Sequence, residues 1–112
     1  MIESMLEGLL GNGTAEKVLF FVTLNREAYA QEIADRLGLT LSGVQNQLRR
    51  LERGNILIGT PRGRMRFYAF NPRFPLATDL EALLRRAIDY LPDREQERYR
   101  VRRRPRAQGK RL

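Results

Sequence analysis

The chain has 112 residues, 21 Lys plus Arg against 13 Asp plus Glu, and no Cys, His or Trp. That length supports one domain with a modest core, and 42% apolar with 30% charged residues is ordinary for a folded protein. Without Cys there are no disulfides, zinc fingers or thiol nucleophiles, and without His the commonest general base and metal ligand are gone. No apolar run approaches the roughly 20 residues of a membrane span. The acidic start (Glu3, Glu7) lacks the regions of a signal peptide, so a cytoplasmic protein is expected.

Ile2, Met5, Leu6, Leu9 and Leu10 recur at helical spacing and predict a short amphipathic helix over residues 2–10, ended by Gly11-Asn12-Gly13. Thr14 is the expected N-cap of a second helix, about Ala15 to Leu24, holding Val18, Leu19, Phe21 and Val22. Asn25-Arg26-Glu27 reads as a turn and Ala28-Tyr29 as a short extended piece. A third helix follows from about Gln31 to Leu37, with Ile33, Ala34 and Leu37 inward and Gly38 as its stop.

Thr40 caps a fourth helix that runs to about Arg53, with Val44, Leu48 and Leu51 as its buried stripe. Gly54-Asn55 accepts the left-handed conformation that ends helices. Ile56-Leu57-Ile58 predicts a strand, Thr60 to Arg64 a turn, and Met65 to Phe70 a returning strand. After the breaks at Asn71-Pro72 and Pro75, a helix from about Leu76 to Tyr90 places Leu80, Leu83, Leu84, Ala87, Ile88 and Leu91 on one face. Pro92 interrupts it. Residues 93–103 read as helical again, and the final stretch as disordered.

Charge is distributed in blocks. Residues 98–112 hold eight basic side chains (Arg98, Arg100, Arg102, Arg103, Arg104, Arg106, Lys110, Arg111) and no acid. Residues 49–73 hold seven (Arg49, Arg50, Arg53, Arg62, Arg64, Arg66, Arg73) with only Glu52 against them, whereas residues 1–48 and 74–97 each sum to −3. A polyanion such as nucleic acid is the natural partner of both basic blocks.

The order helix, Gly-centred turn, helix, basic hairpin is that of a winged helix-turn-helix. Ala34 permits close helix crossing, Gly38 the tight turn, and Leu39 fills the angle between the helices. The second helix of such a pair enters the DNA major groove. Facing away from its buried stripe are Ser42, Asn46, Arg49, Arg50 and Arg53, flanked by Gln45 and Gln47. Asn and Gln can pair with adenine through two hydrogen bonds, and Arg with guanine or phosphate. Thr40 and Leu41 open the helix, Leu41 near enough to meet a thymine methyl. Pro61-Arg62-Gly63-Arg64 forms an Arg-bearing tip, with Arg66 one strand step further, suited to a backbone or a minor groove. Phe67, Tyr68 and Phe70 read as packing residues rather than base-stacking platforms.

The stretch from Thr14 to Leu84, with I-A-D-R-L-G-L-T-L-S-G-V-Q-N-Q-L-R-R-L-E-R-G-N-I-L and P-R-G-R-M-R-F-Y-A-F-N-P, resembles winged-helix regulators of the ArsR-like and MarR-like groups. The run F-Y-A-F-N-P-R-F-P-L also resembles winged-helix modules that precede small nucleotidyltransferase domains. The resemblance implies a mainly α fold with a small β-hairpin wing (α+β) and DNA binding. It does not carry over thiolate metal sensing, since Cys and His are missing, nor nucleotidyl transfer, since no Gly-Ser loop with paired Asp is present. Asn55 stands where a Gly usually precedes the first wing strand.

The expectation is therefore a non-enzymatic, sequence-specific double-stranded DNA-binding regulator, most simply a repressor, that needs no cofactor and associates with the nucleoid when bound. Residues 1–92 would form the DNA-binding domain with flanking helices, and 93–112 a basic extension. A homodimer through residues 2–10 and 76–91 would set two recognition helices about 34 Å apart on an inverted repeat. The extension would add sequence-independent phosphate contacts, although an Arg-rich tail also suits RNA or an acidic protein. The alternatives are an architectural nucleic-acid-binding protein without base readout, or a protein-interaction module.

Overall fold

The computed structural model describes residues 5–101. Helix α2 (Gly13–Asn25) lies at its centre, and the sequence explains why: from Ala15 to Thr23 only Lys17 is not buried. A helix apolar on all sides must be enclosed on all sides. Its neighbours are α1 (Glu7–Leu10), α3 (Ala30–Leu37), α4 (Leu41–Arg53), α5 (Ala77–Asp89) and α6 (Asp93–Tyr99). Phe20, Phe21, Leu19 and Val18 on α2 are fully enclosed, at about 1.5–3 kcal/mol of favourable burial for each large side chain. Among the described residues no helix is long and apolar enough to cross a membrane.

Three strands complete the fold: β1 (Glu27–Tyr29), β2 (Leu57–Arg62) and β3 (Met65–Phe70). They form an antiparallel sheet in the order β1-β3-β2, so the predicted hairpin gains a third strand from the short extended piece. Ala28 pairs with Tyr68, and Gly59 pairs with the same residue from the other side. The expected turn over Thr60–Arg64 is tighter than that: β2 runs on to Arg62, which pairs with Met65 across the two-residue turn Gly63-Arg64. Pro61 fits inside β2 because this strand is at the sheet edge, where a missing N–H leaves no ladder bond unmade.

Local chemistry places the helix ends, with two corrections to the sequence reading. Asn12, not Thr14, caps α2: its side-chain oxygen accepts the Ala15 N–H at 2.7 Å. Asn caps as well as Thr, and the earlier start adds a Glu16 N–H to Asn12 carbonyl bond. The N-terminal helix is a single turn, Glu7–Leu10, preceded by Met5 and Leu6 in a turn, while Ile2 lies outside the described residues. Thr40 caps α4 as expected, accepting from the Gly43 N–H at 3.1 Å.

Residues 93–101, read as the start of a basic extension, pack onto the body. Tyr99 is buried edge-to-face against Phe20, with ring centroids 5.7 Å apart. Asn25 holds this segment at two points, donating to the Tyr99 carbonyl (2.6 Å) and accepting from the Val101 N–H (3.0 Å). Arg36 of α3 donates to the carbonyls of Glu97, Arg98 and Arg100, closing the C-terminal end of α6. Packing therefore continues past residue 92 to Val101.

Candidate nucleic-acid interface

The helix-turn-helix is built by three residues between α3 and α4. Gly38 has φ +68°, a left-handed conformation that a side chain would strain, and the following Leu39 N–H returns to the Ala34 carbonyl at 3.0 Å. Ala34 and Leu37 are buried at the crossing, and Val44, Leu48 and Leu51 bury the inner face of α4. That stripe fixes the rotation of α4. Ser42, Asn46, Arg49 and Arg53 are consequently exposed, with Gln45 and Gln47 half-buried beside them. Leu41 is 37% exposed and Thr40 stands exposed at the helix start.

Not every predicted cation on α4 is available. Arg50 turns sideways: its guanidinium donates to the Gln47 side-chain oxygen and to the Leu10 carbonyl, both at 3.0 Å. It ties α4 to the end of α1 rather than extending outward. Arg49 makes only a long contact to Asn46, at 3.4 Å, and Arg53 has no side-chain partner among the described residues.

The hairpin differs from its sequence reading more sharply. Arg62 forms an ion pair with Glu27 of β1 and lies over the Phe67 ring, 4.1 Å from its centroid. Phe67 in turn meets Tyr29 edge-on, at 5.2 Å between centroids. Arg66 crosses Gly59 to pair with Glu52 of α4. Only a glycine allows that path, because a Cβ at position 59 would stand 2.5 Å from the Arg66 Nε. Hydrogen bonding to these carboxylates raises the pKa of both guanidinium groups. Arg64, next to Gly63 in the turn, has no partner among the described residues. Tyr68 is buried, and Phe67 and Phe70 are half-buried, in keeping with packing roles.

The two elements meet along a groove of about 350 Å³. One wall is Leu41, Gln45 and Arg49 of α4; the other is Arg64, Met65, Arg66 and Tyr68 of the hairpin. Tyr29, Ala30 and Gln31, where β1 runs into α3, also line it. Arg49 and Arg64, fifteen positions apart, thus face one concavity. Sequence reasoning missed Tyr29, Gln31 and Met65; the available signal was that β1 runs directly into α3, which brings these residues beside the hairpin.

The second basic block divides at the end of the described residues. Arg98 belongs to the packed body, donating to the Leu37 carbonyl at 3.1 Å and pairing with Glu95. Arg100 is exposed, while Arg102, Arg103, Arg104, Arg106, Lys110 and Arg111 lie outside the described residues.

No protein-family model matches the chain, and no curated protein is detectably similar to it in sequence. Among solved structures it is similar to the C30AH42A mutant of Lactococcus lactis ZitR in apo form, with TM-score 0.53 at 14% identity over 83% of this chain and 76% of that one. It is also similar to Bacillus subtilis YusO, with TM-score 0.52 at 22% identity over 84% of this chain and 74% of that one. A third is the adhesin competence repressor AdcR of Streptococcus pyogenes, with TM-score 0.50 at 15% identity over 83% and 78%. At these identities the likeness is one of fold. Together with the Gly38 turn and the three-stranded sheet, it establishes that the chain has an α+β winged-helix fold.

Proposed function

We propose that the chain is a sequence-specific double-stranded DNA-binding transcriptional regulator, a repressor that acts as a homodimer by occluding a promoter. The observation that carries this reading is the convergence of Arg49 on α4 and Arg64 on the hairpin along one groove, beside an outward row of Ser42, Gln45 and Asn46. Side chains of these types read base edges, while an arginine at a hairpin turn suits phosphate or the minor groove. The one acid of α4, Glu52, is already bonded to Arg66 and leaves the outer face without a free carboxylate. That one structural neighbour is by name a repressor supports the choice of a regulator, as does the resemblance to ArsR-like and MarR-like proteins.

The residues divide the work. Asn46, Gln45 and Arg49 select bases, Arg53 and Arg64 meet phosphates, and the basic residues beyond Val101 add attraction that does not depend on sequence. The protein would act in the cytoplasm, on the nucleoid, without a cofactor. Selection from a random duplex pool at about 150 mM salt tests this, since that salt suppresses the non-specific term. An enriched inverted repeat, with half-site centres about 34 Å apart or a multiple of that, is the expected result. Tight binding with no enrichment would replace the regulator with an architectural protein.

A further inference from the structure

Helix α5 packs on α2 through Ala77, Leu84, Ala87 and Ile88, yet it leaves a second apolar row uncovered. Leu83, expected on the buried face, is 41% exposed; Leu76 at the N-cap is 58% and Tyr90 at the C-cap 60% exposed. Seven-residue spacing sets these three within about 40° of one another around the helix, along a line about 21 Å long. Asp79 and Arg86 lie along the same side of the row, about 40° and about 60° from Leu83. Both are exposed, and neither has a hydrogen-bond or ion-pair partner among the described residues.

We propose that this face docks on the same face of a second copy, with the two α5 helices antiparallel and the two-fold axis at Leu83. The proposal rests on the homodimer reading above and specifies its contact. Charge complementarity decides the direction. About an axis at Leu83, Leu76 of one chain lies opposite Tyr90 of the other, and Asp79 comes within about 1.5 Å of Arg86 along the helix axis. Two opposite-charge pairs then lie along one side of the apolar row, one on each side of Leu83 along the helix axis. A parallel arrangement would put the two copies of each residue at the same level on opposite sides of the seam, where neither Asp79 nor Arg86 meets the other. Asp79 lies in the first turn and Arg86 in the last, so the antiparallel arrangement also brings opposite helix-dipole ends together. The contact is self-complementary, as a two-fold interface requires.

Sedimentation equilibrium of the full chain without DNA tests this with Asp79→Arg, Arg86→Asp, the double exchange and Leu83→Glu. These positions are exposed, so unchanged thermal melts are expected to show intact folding. Each single reversal turns two attractive pairs repulsive and should weaken the dimer about tenfold; the double exchange should restore it. Leu83→Glu brings two carboxylates together at the axis and should abolish the dimer. A dimer insensitive to all four variants overturns the α5 pairing and leaves the homodimer reading standing. A double exchange without recovery overturns the Asp79–Arg86 register. A wild-type chain that stays monomeric over the concentration range used for DNA binding overturns both pairing and homodimer. Failure of the DNA-binding reading would look different: a chain that dimerises but binds no duplex.

Discussion

Helix α4 and the β2–β3 hairpin each carry three arginines, but they hold them differently. On α4, Arg49 and Arg53 have no carboxylate partner among the described residues, and Arg50 is turned aside to Leu10. On the hairpin, Arg62 is bonded to Glu27 and Arg66 to Glu52, which leaves Arg64 at the turn without a partner among the described residues. A guanidinium already paired with a carboxylate brings little net field, and a phosphate must displace that carboxylate to gain it. Counting basic residues along the chain therefore overstates the hairpin. Glu27 lies outside the basic block in sequence, yet the sheet brings it to Arg62 and subtracts one charge. The paired arginines hold the hairpin against the body instead: one bond ties it to β1 and the other to α4. In the proposed reading α4 is therefore the element assigned to base readout, while the hairpin is a braced arm in which Arg64 is the cation without a partner among the described residues.

Several variants would break or sharpen that comparison. The largest expected effect removes the background common to both elements. Truncation after Val101 deletes six basic residues, and at about 0.9 log unit per phosphate lost the salt slope should flatten by as much as ~5. Filter binding over a range of salt concentrations would measure this, with the preferred sequence unchanged. Truncation after Glu97 would be a poor substitute, since it removes Tyr99 from the core.

Next in size is base readout. Asn46→Ala and Arg49→Ala should each lose about 1–3 kcal/mol of discrimination between bases, seen by competition between selected and scrambled duplexes. Smaller is the release of Arg66 by Glu52→Gln. It should raise affinity severalfold and steepen the salt slope by about 0.9, as one more cation becomes available. Stability should move by less than about 1 kcal/mol because the pair is exposed. Arg64→Ala should flatten the slope by a similar amount, whereas Arg62→Ala should leave it nearly unchanged.

The smallest effect on DNA binding is expected at Glu16, remote from both elements. This residue is buried on α2 with one carboxylate oxygen that has no hydrogen-bond partner among the described residues, and burial raises its pKa above the ordinary 4.5, opposed by Lys17 and the Leu6 backbone and supplemented by Glu7. The folded state thus holds this proton more tightly than the unfolded chain does. Stability falls as pH rises from about the unfolded value through the raised one, and the penalty is fully present above it. Glu16→Gln should remove that slope in a series of thermal melts and stabilise the protein at neutral pH. DNA affinity should not change.

The parts of the fold legible in the sequence are those governed by neighbouring residues. Thr40 and the Val44, Leu48, Leu51 stripe set both the start and the rotation of α4, and Gly38 set the turn before it. The apolar and aromatic run Met65–Phe70 marked β3 to the residue. What could not be read depends on partners far along the chain. Glu27 is 35 residues from Arg62, Leu10 is 40 from Arg50, and Tyr99 meets Phe20 across the whole domain. Periodicity assigned Leu83 to the buried face because a 100° apolar arc and a wider one look alike in one dimension. Only the position of α2 shows that the arc of α5 exceeds what one neighbour covers.

The most direct test of the division between α4 and the hairpin is sequence selection from a random duplex pool, repeated with Arg49→Ala and with Arg64→Ala. The expected result is a changed or relaxed base preference for Arg49→Ala and the wild-type preference, more weakly bound, for Arg64→Ala. The same preferred sequence from Arg49→Ala, or a new one from Arg64→Ala, would contradict the assignment of base readout to α4.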